Sequence, residues 1–443
     1  MKRALICGAA FAAIVLASPA SADTLGEQVA ADMPELMELY RDLHANPELS
    51  FEEHETAAKL AARMRALGFE VTEGVGQTGV VSVMHNGDGP TVMLRADMDA
   101  LPLVERTGLP FASTKTAVPA SGVTTGVMHA CGHDTHMAGF IGAAQRLVAN
   151  RDGWQGTLVM ILQPAEELGA GAKAMLDDGL FERFPKPDYV FAFHNASAPL
   201  PAGAVGAAPG YAMANVDSVD ITVKGVGGHG AQPHTTKDPI VLASSIVMKL
   251  QTLVSRETHP LDTAVVTVGS FLAGSKHNII PDEARLQLTV RSYKDEVREA
   301  LLSGIERIAR GEAMAAGLPE ELMPVVISKK EYTPSTYNDP ELTNALIESF
   351  AKRLGQDRVG IMPPTTGGED FGRYHRADRK NVRSVLFWIS GTPAELLEEV
   401  AAGEANMPSL HSPFWAPDAE KVIATAAETL AVAAMDMMPV PGA

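Results

Sequence analysis

Cysteine is nearly absent from the 443-residue chain, which contains only Cys7 and Cys131. Cys7 lies in an N-terminal apolar segment that we expect to be removed from the mature protein. One thiol then remains, so an intramolecular disulfide is excluded. A single thiol in an exported protein is either buried in the core or bound to a metal ion.

Long apolar runs are also scarce, and the one that stands out lies at the N-terminus. Met1-Lys2-Arg3 precede an apolar stretch over residues 4–16, and Ala20-Ser21-Ala22 come just before Asp23. This is the pattern of a cleavable secretory signal peptide. The stretch is shorter than the roughly 20 residues of a spanning helix, which disfavours an uncleaved anchor. We therefore predict a signal peptide over 1–22 and an exported protein, periplasmic or secreted, without membrane contact after cleavage.

Basic residues are outnumbered, with 36 Lys and Arg against 54 Asp and Glu and a formal net charge of −18. No basic run stands out in the sequence. This charge balance argues against a nucleic-acid partner and against binding to an anionic membrane surface. The hydrophobic share of 46% and the charged share of 20% are ordinary for a globular protein. The length is sufficient for two domains.

Two short segments concentrate the chemistry of a metal site. Residues 130–136 read Ala-Cys-Gly-His-Asp-Thr-His, and residues 163–167 read Gln-Pro-Ala-Glu-Glu. Thiol, imidazole and carboxylate groups are ligands of transition metals, and a further carboxylate can act as a base. Taken singly, Cys131 is better explained as a small buried residue, and the histidines as loop or helix-cap residues. Their combination indicates a metal-dependent hydrolase.

The first half of the chain alternates short apolar, β-rich segments with segments of helical periodicity. Strands are predicted near residues 80–84, 91–95, 157–162 and 189–193, and helices near 36–43, 56–67 and 138–148. This order predicts an α/β domain with a sheet covered by helices. Open α/β sheets bind ligands at the carboxyl ends of their strands. Asp97, Glu166, Glu167 and His194 come at or after such ends, and we expect them in one site.

From about Val216 the order of elements changes to β-α-β-β-α. Strands are predicted near residues 219–223, 264–270 and 284–291, and helices near 239–254 and 297–314. This order is typical of a compact α+β unit of the ferredoxin-like type. Further strand and helix patterns follow it. The sequence therefore predicts a catalytic domain in two parts, 23–215 and 331–443, with an inserted domain over 216–330.

Seven motifs occur in register along the mature chain and resemble one known family. They are Arg95-Ala96-Asp97-Met98-Asp99-Ala100-Leu101-Pro102, Met128-His129-Ala130-Cys131-Gly132-His133-Asp134, Gln163-Pro164-Ala165-Glu166-Glu167, Gly227-Gly228-His229, Asn278-Ile279-Ile280-Pro281-Asp282, Gly367-Gly368-Glu369-Asp370-Phe371 and Leu410-His411-Ser412-Pro413. Together they resemble the M20 metallopeptidases. The similarity is to the amidohydrolase branch, which includes hippurate hydrolases, N-acyl-amino-acid amidohydrolases and auxin-conjugate hydrolases.

The resemblance implies a mixed-sheet, zinc-peptidase-like catalytic domain with two divalent metal ions, and a smaller lid domain that usually also dimerises. Carried over by position, Glu166 would be the general base. The implied metal ligands are Cys131, His133, Glu167, His194 and His411. Cys131 would lie between the two ions, whose identity among Zn, Mn, Ni and Co the donor set leaves open. A base beside a ligand carboxylate can take a proton from water and pass it to the leaving nitrogen.

Asp97 and Asp99 would support the metal ligands without binding metal themselves. Relatives elsewhere in the superfamily have a ligand histidine where Asp97 stands. Either aspartate is also a candidate helix cap or turn former. His229 of the lid would donate a hydrogen bond to the scissile carbonyl, in dimeric relatives from a partner subunit. The alternative for His229 is a turn residue among glycines.

The resemblance also implies substrate-binding residues. Asn278 and Arg291 would hold the free carboxylate of the substrate, although an arginine that closes a strand is often simply solvated. Gly367 and Gly368 would let the backbone approach the substrate closely. Four further histidines receive no assignment beyond a supporting or structural role: His129, His136, His234 and His277.

The sequence therefore predicts an exported dinuclear amidohydrolase that cleaves N-acyl amino acids, or related conjugates, to a carboxylic acid and an amino acid. A homodimer or higher homo-oligomer through the lid is expected. One alternative is a dipeptidase or carboxypeptidase, which would need an acidic residue to recognise a free amino group, and we identify none in the sequence. The other is a metal-binding or solute-binding protein without catalysis. Glu166 beside a full ligand set disfavours it, because binding alone needs no base.

Overall fold

The computed structural model describes residues 24–119 and 122–442, so the predicted signal peptide lies outside the described residues. Helix starts follow local capping signals. Thr24 and Glu27 form a capping box at the first helix, and the Asp238, Asp339 and Asp418 carboxylates each accept a backbone N–H at later helix starts. Such caps satisfy the unpaired N–H groups of a first turn.

The helices of the described chain pack mainly against one large sheet. They are α1 (Leu25–Ala45), α2 (His54–Ala66), α3 (His133–Ala149), α4 (Gly171–Asp177), α5 (Leu180–Arg183), α6 (Pro239–Thr252), α7 (Asp295–Ala315), α8 (Pro340–Leu354), α9 (Gly372–Ala377), α10 (Ala394–Ala402) and α11 (Ala419–Met437). No helix in these ranges is long and apolar enough to cross a membrane.

The large sheet is mixed and has eight strands. In chain order they are β1 (Glu70–Val75), β2 (Gly79–Asn86), β3 (Thr91–Asp97), β6 (Gly156–Gln163), β7 (Tyr189–Ala196), β8 (Val205–Ala207), β17 (Val359–Ile361) and β18 (Arg383–Ser390). Two short strands, β4 (Thr116–Ala117) and β5 (Thr125–Gly126), pair with each other outside this sheet. The spatial order is β1-β2-β6-β3-β7-β18-β8-β17. The central strands β6, β3, β7 and β18 run parallel.

The central strands are buried on both faces because helices cover the sheet on both sides. Along β3, Val92 and Leu94 face the core under α1, α3 and α11. Met93, between them, faces the core under α4 and α9. Successive side chains of a strand point to opposite faces, so a strand covered twice reads as a continuous apolar run. The predicted α/β class with a mixed sheet is confirmed.

A second, four-stranded antiparallel sheet lies in the chain between the two parts of the first. It contains β10 (Asn215–Lys224), β12 (Ala264–Ala273), β14 (Glu283–Ser292) and β15 (Val325–Ser328). Four short strands form two separate pairs: β11 (Gly228–His229) with β13 (Ile279–Ile280), and β9 (Gly210–Met213) with β16 (Thr336–Asn338). The spatial order β12-β14-β10-β15, with α6 and α7 packed on one face, is ferredoxin-like. We refer to this unit as the lid.

His44 of α1 connects three separate segments of the unit built on the large sheet. Its Nδ1 lies 2.7 Å from the Asp134 carboxylate at the start of α3, and its Nε2 lies 3.0 Å from the Glu105 carboxylate. Burial lowers the pKa of His44, but the hydrogen bonds to Asp134 and Glu105 outweigh it and raise the pKa to about 10. The buried ring is therefore an imidazolium that ties α1 to the segment carrying Cys131 and His133.

We predict that His44→Gln destabilises the protein in a pH-dependent way. The pKa of His44 is higher in the folded state than the ordinary value of about 6.5, so its contribution is complete below pH 6.5 and is lost as the pH rises through about 10. Urea midpoints of the two proteins should differ most near pH 6 and converge toward pH 10. His85→Gln, at an exposed position, is the control. A difference that widens with pH would contradict the assignment.

Candidate active site

Three neighbouring strands deliver the predicted site residues to one edge of the large sheet. β3 lies between β6 and β7 and is parallel to both. Asp97 ends β3, Glu166 and Glu167 follow the end of β6, and His194 lies near the end of β7. The carboxyl ends of parallel strands meet at the same edge, which is why these residues converge.

The turn into α3 carries Cys131 and His133. Gly132 between them has a φ of +82°, and a Cβ at this position would lie 2.8 Å from the Asn195 side-chain nitrogen. Only glycine allows both this conformation and this close approach without strain. Cys131 and His133 are therefore presented on the same side of the helix start, and both are buried.

Backbone carbonyls orient the two buried histidines. His133 Nδ1 donates to the Asp99 carbonyl at 2.8 Å, and His194 Nδ1 donates to the Asn195 carbonyl at 2.6 Å. In both rings Nε2 is therefore the nitrogen that faces the cluster. The Nε2 of His194 lies 3.6 Å from Cys131 Sγ. Metal-binding histidines are commonly held in this way through their other nitrogen.

His411 reaches the cluster from the C-terminal part of the chain. Its backbone N–H donates to the Ala130 carbonyl at 2.9 Å, and its φ is +65°. Its Nε2 lies 3.3 Å from Cys131 Sγ and 3.4 Å from Glu167 Oε2. The left-handed backbone at a non-glycine residue is uncommon and often marks a functional position.

The converging atoms form two sets of donors that share Cys131. The Cys131, His133 and His194 donors lie within 4.8 Å of one another, as do those of Cys131, Glu167 and His411. His133 Nε2 and Glu167 Oε1 are buried without a hydrogen-bond partner in the described structure, 4.0 Å apart. Thiolate, imidazole and carboxylate groups around unpaired buried atoms fit a divalent transition metal.

The electrostatics of the cluster agree with this fit. Burial, followed by Glu167 and Glu166, raises the pKa of Cys131 well above its usual value. Burial also raises the pKa of Glu167 to about 7, and burial with Glu369 raises that of Glu166 well above its usual value. For His133, burial is outweighed by Asp97 and Asp99, which raise its pKa to about 10. A divalent cation compensates such crowded acids and competes with protons for them.

Asp99 supports the segment that carries Glu166 and Glu167. Its carboxylate accepts the backbone N–H groups of both residues, each at 3.0 Å, and the Ser50 hydroxyl at 2.6 Å. Its backbone carbonyl holds His133, as described above. Asp99 therefore contacts the backbone of one ligand and the ring of another.

Asp97 is engaged by protein donors on both oxygens. One oxygen lies 2.5 Å from His136 Nδ1, and the other accepts from Arg95 at 2.5 Å. The Nε2 of His136 accepts the Asn195 N–H at 2.8 Å, so His136 uses both nitrogens within the protein. Both carboxylate oxygens of Asp97 are therefore bound by protein donors.

A fully buried ion-pair cluster beneath the ligands was not predicted from the sequence. The Arg95 guanidinium forms ion pairs with three carboxylates: Asp97 at 2.5 Å, Glu369 at 2.8 Å and Asp370 at 3.4 Å. It also donates to Gln163 at the end of β6, at 2.9 Å. An arginine within the apolar strand β3 is the sequence signal that could have revealed this cluster, because a buried arginine needs acidic partners.

A cavity of about 450 Å³ opens above the cluster, between the catalytic domain and the lid. Its wall contains Glu166, the half-buried Arg291 and Gly368, and every ligand candidate except the fully buried His133. A Cβ on Gly368 would lie 2.4 Å from Val216, so this glycine permits close contact with lid strand β10. The neighbouring Gly367 is exposed and is not part of the wall.

Two predicted site residues lie elsewhere on the lid. His229 and Asn278 are exposed and are absent from the cavity wall. They lie close to each other, because β11 pairs with β13 and the Gly230 N–H donates to the Asn278 carbonyl at 2.9 Å. Of the histidines left unassigned, His234 and His277 are exposed on the same unit, and His129 is buried without a hydrogen-bond partner in the described structure.

Comparison with known proteins identifies the family. Residues 93–431, more than half of the chain, match the model of Peptidase family M20/M25/M40. The chain belongs to this family. It is 38% identical to the N-acetylcysteine deacetylase of Bacillus subtilis over 381 residues, covering 84% of this chain and 94% of that protein. It is 39% identical to the hippurate hydrolase of Campylobacter jejuni over 352 residues, covering 77% and 86%.

A solved structure agrees with the fold of this M20 chain. The YXEP protein of Bacillus subtilis, described as a dinuclear metal binding peptidase from the M20 family, superimposes with a TM-score of 0.72 at 32% identity. The match covers 92% of this chain and 99% of that one. The resemblance inferred from the motifs is confirmed, and the protein is a metal-dependent hydrolase.

We predict that Cys131→Ala lowers the metal content of the purified protein and abolishes hydrolysis. Its Sγ belongs to both donor sets, so its loss weakens both. Elemental analysis after dialysis measures the bound metal. Ser412→Ala, next to His411 but outside the donor sets, is the matched control and should retain metal. Full metal content and activity in Cys131→Ala would show that Cys131 is a small buried side chain and not a metal ligand.

Proposed function

We propose that the protein is an exported dinuclear amidohydrolase that cleaves the amide bond of N-acyl amino acids or related conjugates, releasing a carboxylic acid and an amino acid. The observation that carries this proposal is the composition of one cavity. Glu166 and four of the five metal donors line it, all but His133, and Arg291 of the lid lies in its wall. A proton acceptor, a metal site and a guanidinium for a carboxylate therefore face the same space.

Two metal ions are supported by the two donor sets that share Cys131. Cys131, His133 and His194 would hold one ion, and Cys131, Glu167 and His411 the other. When bound, such ions polarise the scissile carbonyl and lower the pKa of a water molecule to near neutrality. Zn, Mn, Ni and Co all accept these ligands, and the donor set alone does not select among them.

Glu166 is suited to move the protons of the reaction. In the first step its carboxylate takes a proton from the attacking water as the C–O bond forms. In the second step the same proton passes to the amide nitrogen as the C–N bond breaks.

Arg291 is suited to bind the carboxylate of the amino-acid part. Its Nε donates to Thr289 at 3.0 Å, which orients the guanidinium at the cavity wall. Burial lowers the pKa of Arg291, yet a guanidinium remains charged at all physiological pH values. A planar guanidinium can bind a carboxylate through two parallel hydrogen bonds.

We propose that His229 and Asn278 complete the site of a partner subunit. His229 Nδ1 accepts the Ala231 N–H at 3.0 Å, so the ring proton is on Nε2, which is exposed as a donor. Such a donor could stabilise the oxyanion of the reaction. The position of both residues outside the cavity of their own chain supports a contribution across a dimer.

Exposed apolar groups on the lid support dimerisation through this unit. The strand β12 ends the four-stranded sheet, so the backbone of its outer edge is unpaired within the described chain. On this strand Leu272 is 61% exposed, and on the adjacent helix α6 Val241 and Met248 are 66% and 72% exposed. Unpaired edge strands and apolar patches favour association with a second chain.

A dipeptidase is the second candidate, because Glu331 also lines the cavity. Its carboxylate could recognise a free amino group, which the sequence alone had not indicated. Glu331 is exposed, however, whereas Arg291 is half-buried. Since an exposed ion pair contributes little free energy, we favour acylated substrates.

Substrate class can be tested with a panel of N-acetyl, N-benzoyl and longer N-acyl amino acids beside unblocked dipeptides. Apoenzyme is assayed after addition of each metal in turn. We expect higher kcat/KM for acylated substrates, and a rise in KM without a comparable fall in kcat for Arg291→Met. Glu331→Gln should leave these values unchanged. Preference for dipeptides, lost in Glu331→Gln, would instead identify a dipeptidase.

The role of His229 can be tested by mixing two inactive variants. Glu166→Gln should lose at least ~10²-fold in rate by loss of proton transfer, and His229→Ala should lose about 2.7–4 kcal/mol of transition-state stabilisation. If His229 acts across a dimer, the mixture should recover up to about a quarter of wild-type activity, since half of random dimers are mixed and each has one intact site. No recovery despite demonstrated subunit exchange would exclude a partner contribution.

A further inference from the structure

Backbone strain in the described chain is concentrated around the proposed active site. Within residues 24–119 and 122–442, four residues other than glycine have a positive φ: Phe51 at 63°, Gln77 at 82°, Ala165 at 46° and His411 at 65°. His411 is a ligand candidate, and Ala165 directly precedes Glu166. Such conformations persist only where the surroundings hold them in place. Specific contacts must therefore hold Ala165 in its left-handed conformation.

The Glu53 carboxylate holds the backbone of Ala165. Glu53 lies just before α2 and has no exposed surface. One of its oxygens accepts the Ala165 N–H at 2.8 Å, and the other accepts the Thr78 hydroxyl at 2.5 Å. Neither Glu53 nor Thr78 belongs to the donor sets or to the cavity wall.

Glu53 and Asp99 together bind three consecutive amides. Glu53 accepts the N–H of Ala165, and Asp99 accepts those of Glu166 and Glu167. The two remaining strained residues are next to this network, because Phe51 follows the Ser50 that supports Asp99 and Gln77 precedes Thr78. Two buried carboxylates thus fix the backbone of the turn over residues 165–167.

The same turn is closed on its other side by backbone contacts. The Ala165 carbonyl accepts the N–H groups of Ala170 and Gly171 at 3.2 and 3.1 Å. A Cβ on Gly171 would lie 1.5 Å from the Pro164 carbonyl oxygen, so only glycine fits at this point of the turn. Ala165 is fixed at both its N–H and its carbonyl, and this sets the direction of the Glu166 side chain.

We propose that Glu53 is a positioning residue for the proton transfer carried out by Glu166. Its hydrogen bond to the Ala165 N–H keeps this residue left-handed, and this conformation directs the Glu166 carboxylate into the cavity. The proposal rests on the proposed function, in which Glu166 is the base. Misplacement of a catalytic group by about 1 Å can lower a rate ~10²-fold, so a contact one residue away can matter greatly.

The test compares Glu53→Ala with Glu53→Gln in the metal-loaded full-length enzyme. The substrate is whichever N-acetyl or N-benzoyl amino acid in the panel above is hydrolysed fastest. Glu53→Ala should lower kcat by ~10- to 100-fold with KM and bound metal unchanged, because Asp99 still holds Glu167. Glu53→Gln should stay within about threefold of wild type, since its amide oxygen can accept from Ala165 and its amide nitrogen can donate to Thr78.

Glu48→Ala is the matched control. The Glu48 carboxylate accepts the N–H groups of Glu55 and Thr56 at the same helix start, at 3.2 and 2.8 Å, but does not contact the turn. This variant should lower the thermal midpoint and leave kcat unchanged. A general loss of stability near α2 would instead affect Glu48→Ala and Glu53→Ala alike.

Thr78→Val provides a second variant should Glu53→Ala fail to fold. It removes only the hydroxyl that orients Glu53 and preserves the shape of the side chain. A several-fold fall in kcat at constant KM is expected. A kcat per bound metal equal to wild type in every soluble variant would overturn the proposal, as would an equal loss in Glu53→Gln and Glu53→Ala. Glu166→Gln is measured in parallel: if it retains full rate, the assignment of the base fails instead.

Discussion

The Arg95 guanidinium lies at the end of β3 without exposed surface and pairs with Asp97, Glu369 and Asp370. A buried cation remains charged only where carboxylates surround it, and the carboxylates need the cation in turn. Because Asp97 precedes the lid and Glu369 follows it, this ion-pair cluster joins the two parts of the catalytic domain. The turn with Glu166 begins at Gln163, which Arg95 also contacts, so the position of the proposed base depends on the same cluster.

Above this cluster, three of the five candidate ligands are oriented by groups outside the donor sets. Carbonyls of Asp99 and Asn195 orient His133 and His194, and the Asp99 carboxylate orients the backbone of Glu167. Hydrogen bonds of this kind hold the donors in a fixed orientation, which lowers the reorganisation that metal binding requires. The strained Ala165 is held in the same way by Glu53. The free energy of the buried contacts offsets local strain at the site.

Much of the architecture was predictable from residue patterns. Continuous apolar runs indicated the central strands, alternation indicated the lid strand β10, and a period of 3.6 indicated the helices, because burial selects those patterns. Cys131, His133 and the Glu166-Glu167 pair stood out by donor chemistry, and the structure brings them together. The partners of Arg95 and the role of Glu53 were not predicted. Glu53 stands in an ordinary acidic helix start, 112 positions from the amide that it contacts.

The sequence by itself determined the main strands and helices before residue 315, the family and the identity of the donor-bearing motifs, since each depends on residue types over short distances. Only the tertiary structure decided which carboxylate holds which amide, which donors bind the two oxygens of Asp97, and that His229 and Asn278 lie outside the cavity of their own chain. The physical reason is that these outcomes depend on which buried groups face each other. Packing of distant segments against a common sheet sets those pairings, and no local pattern encodes them.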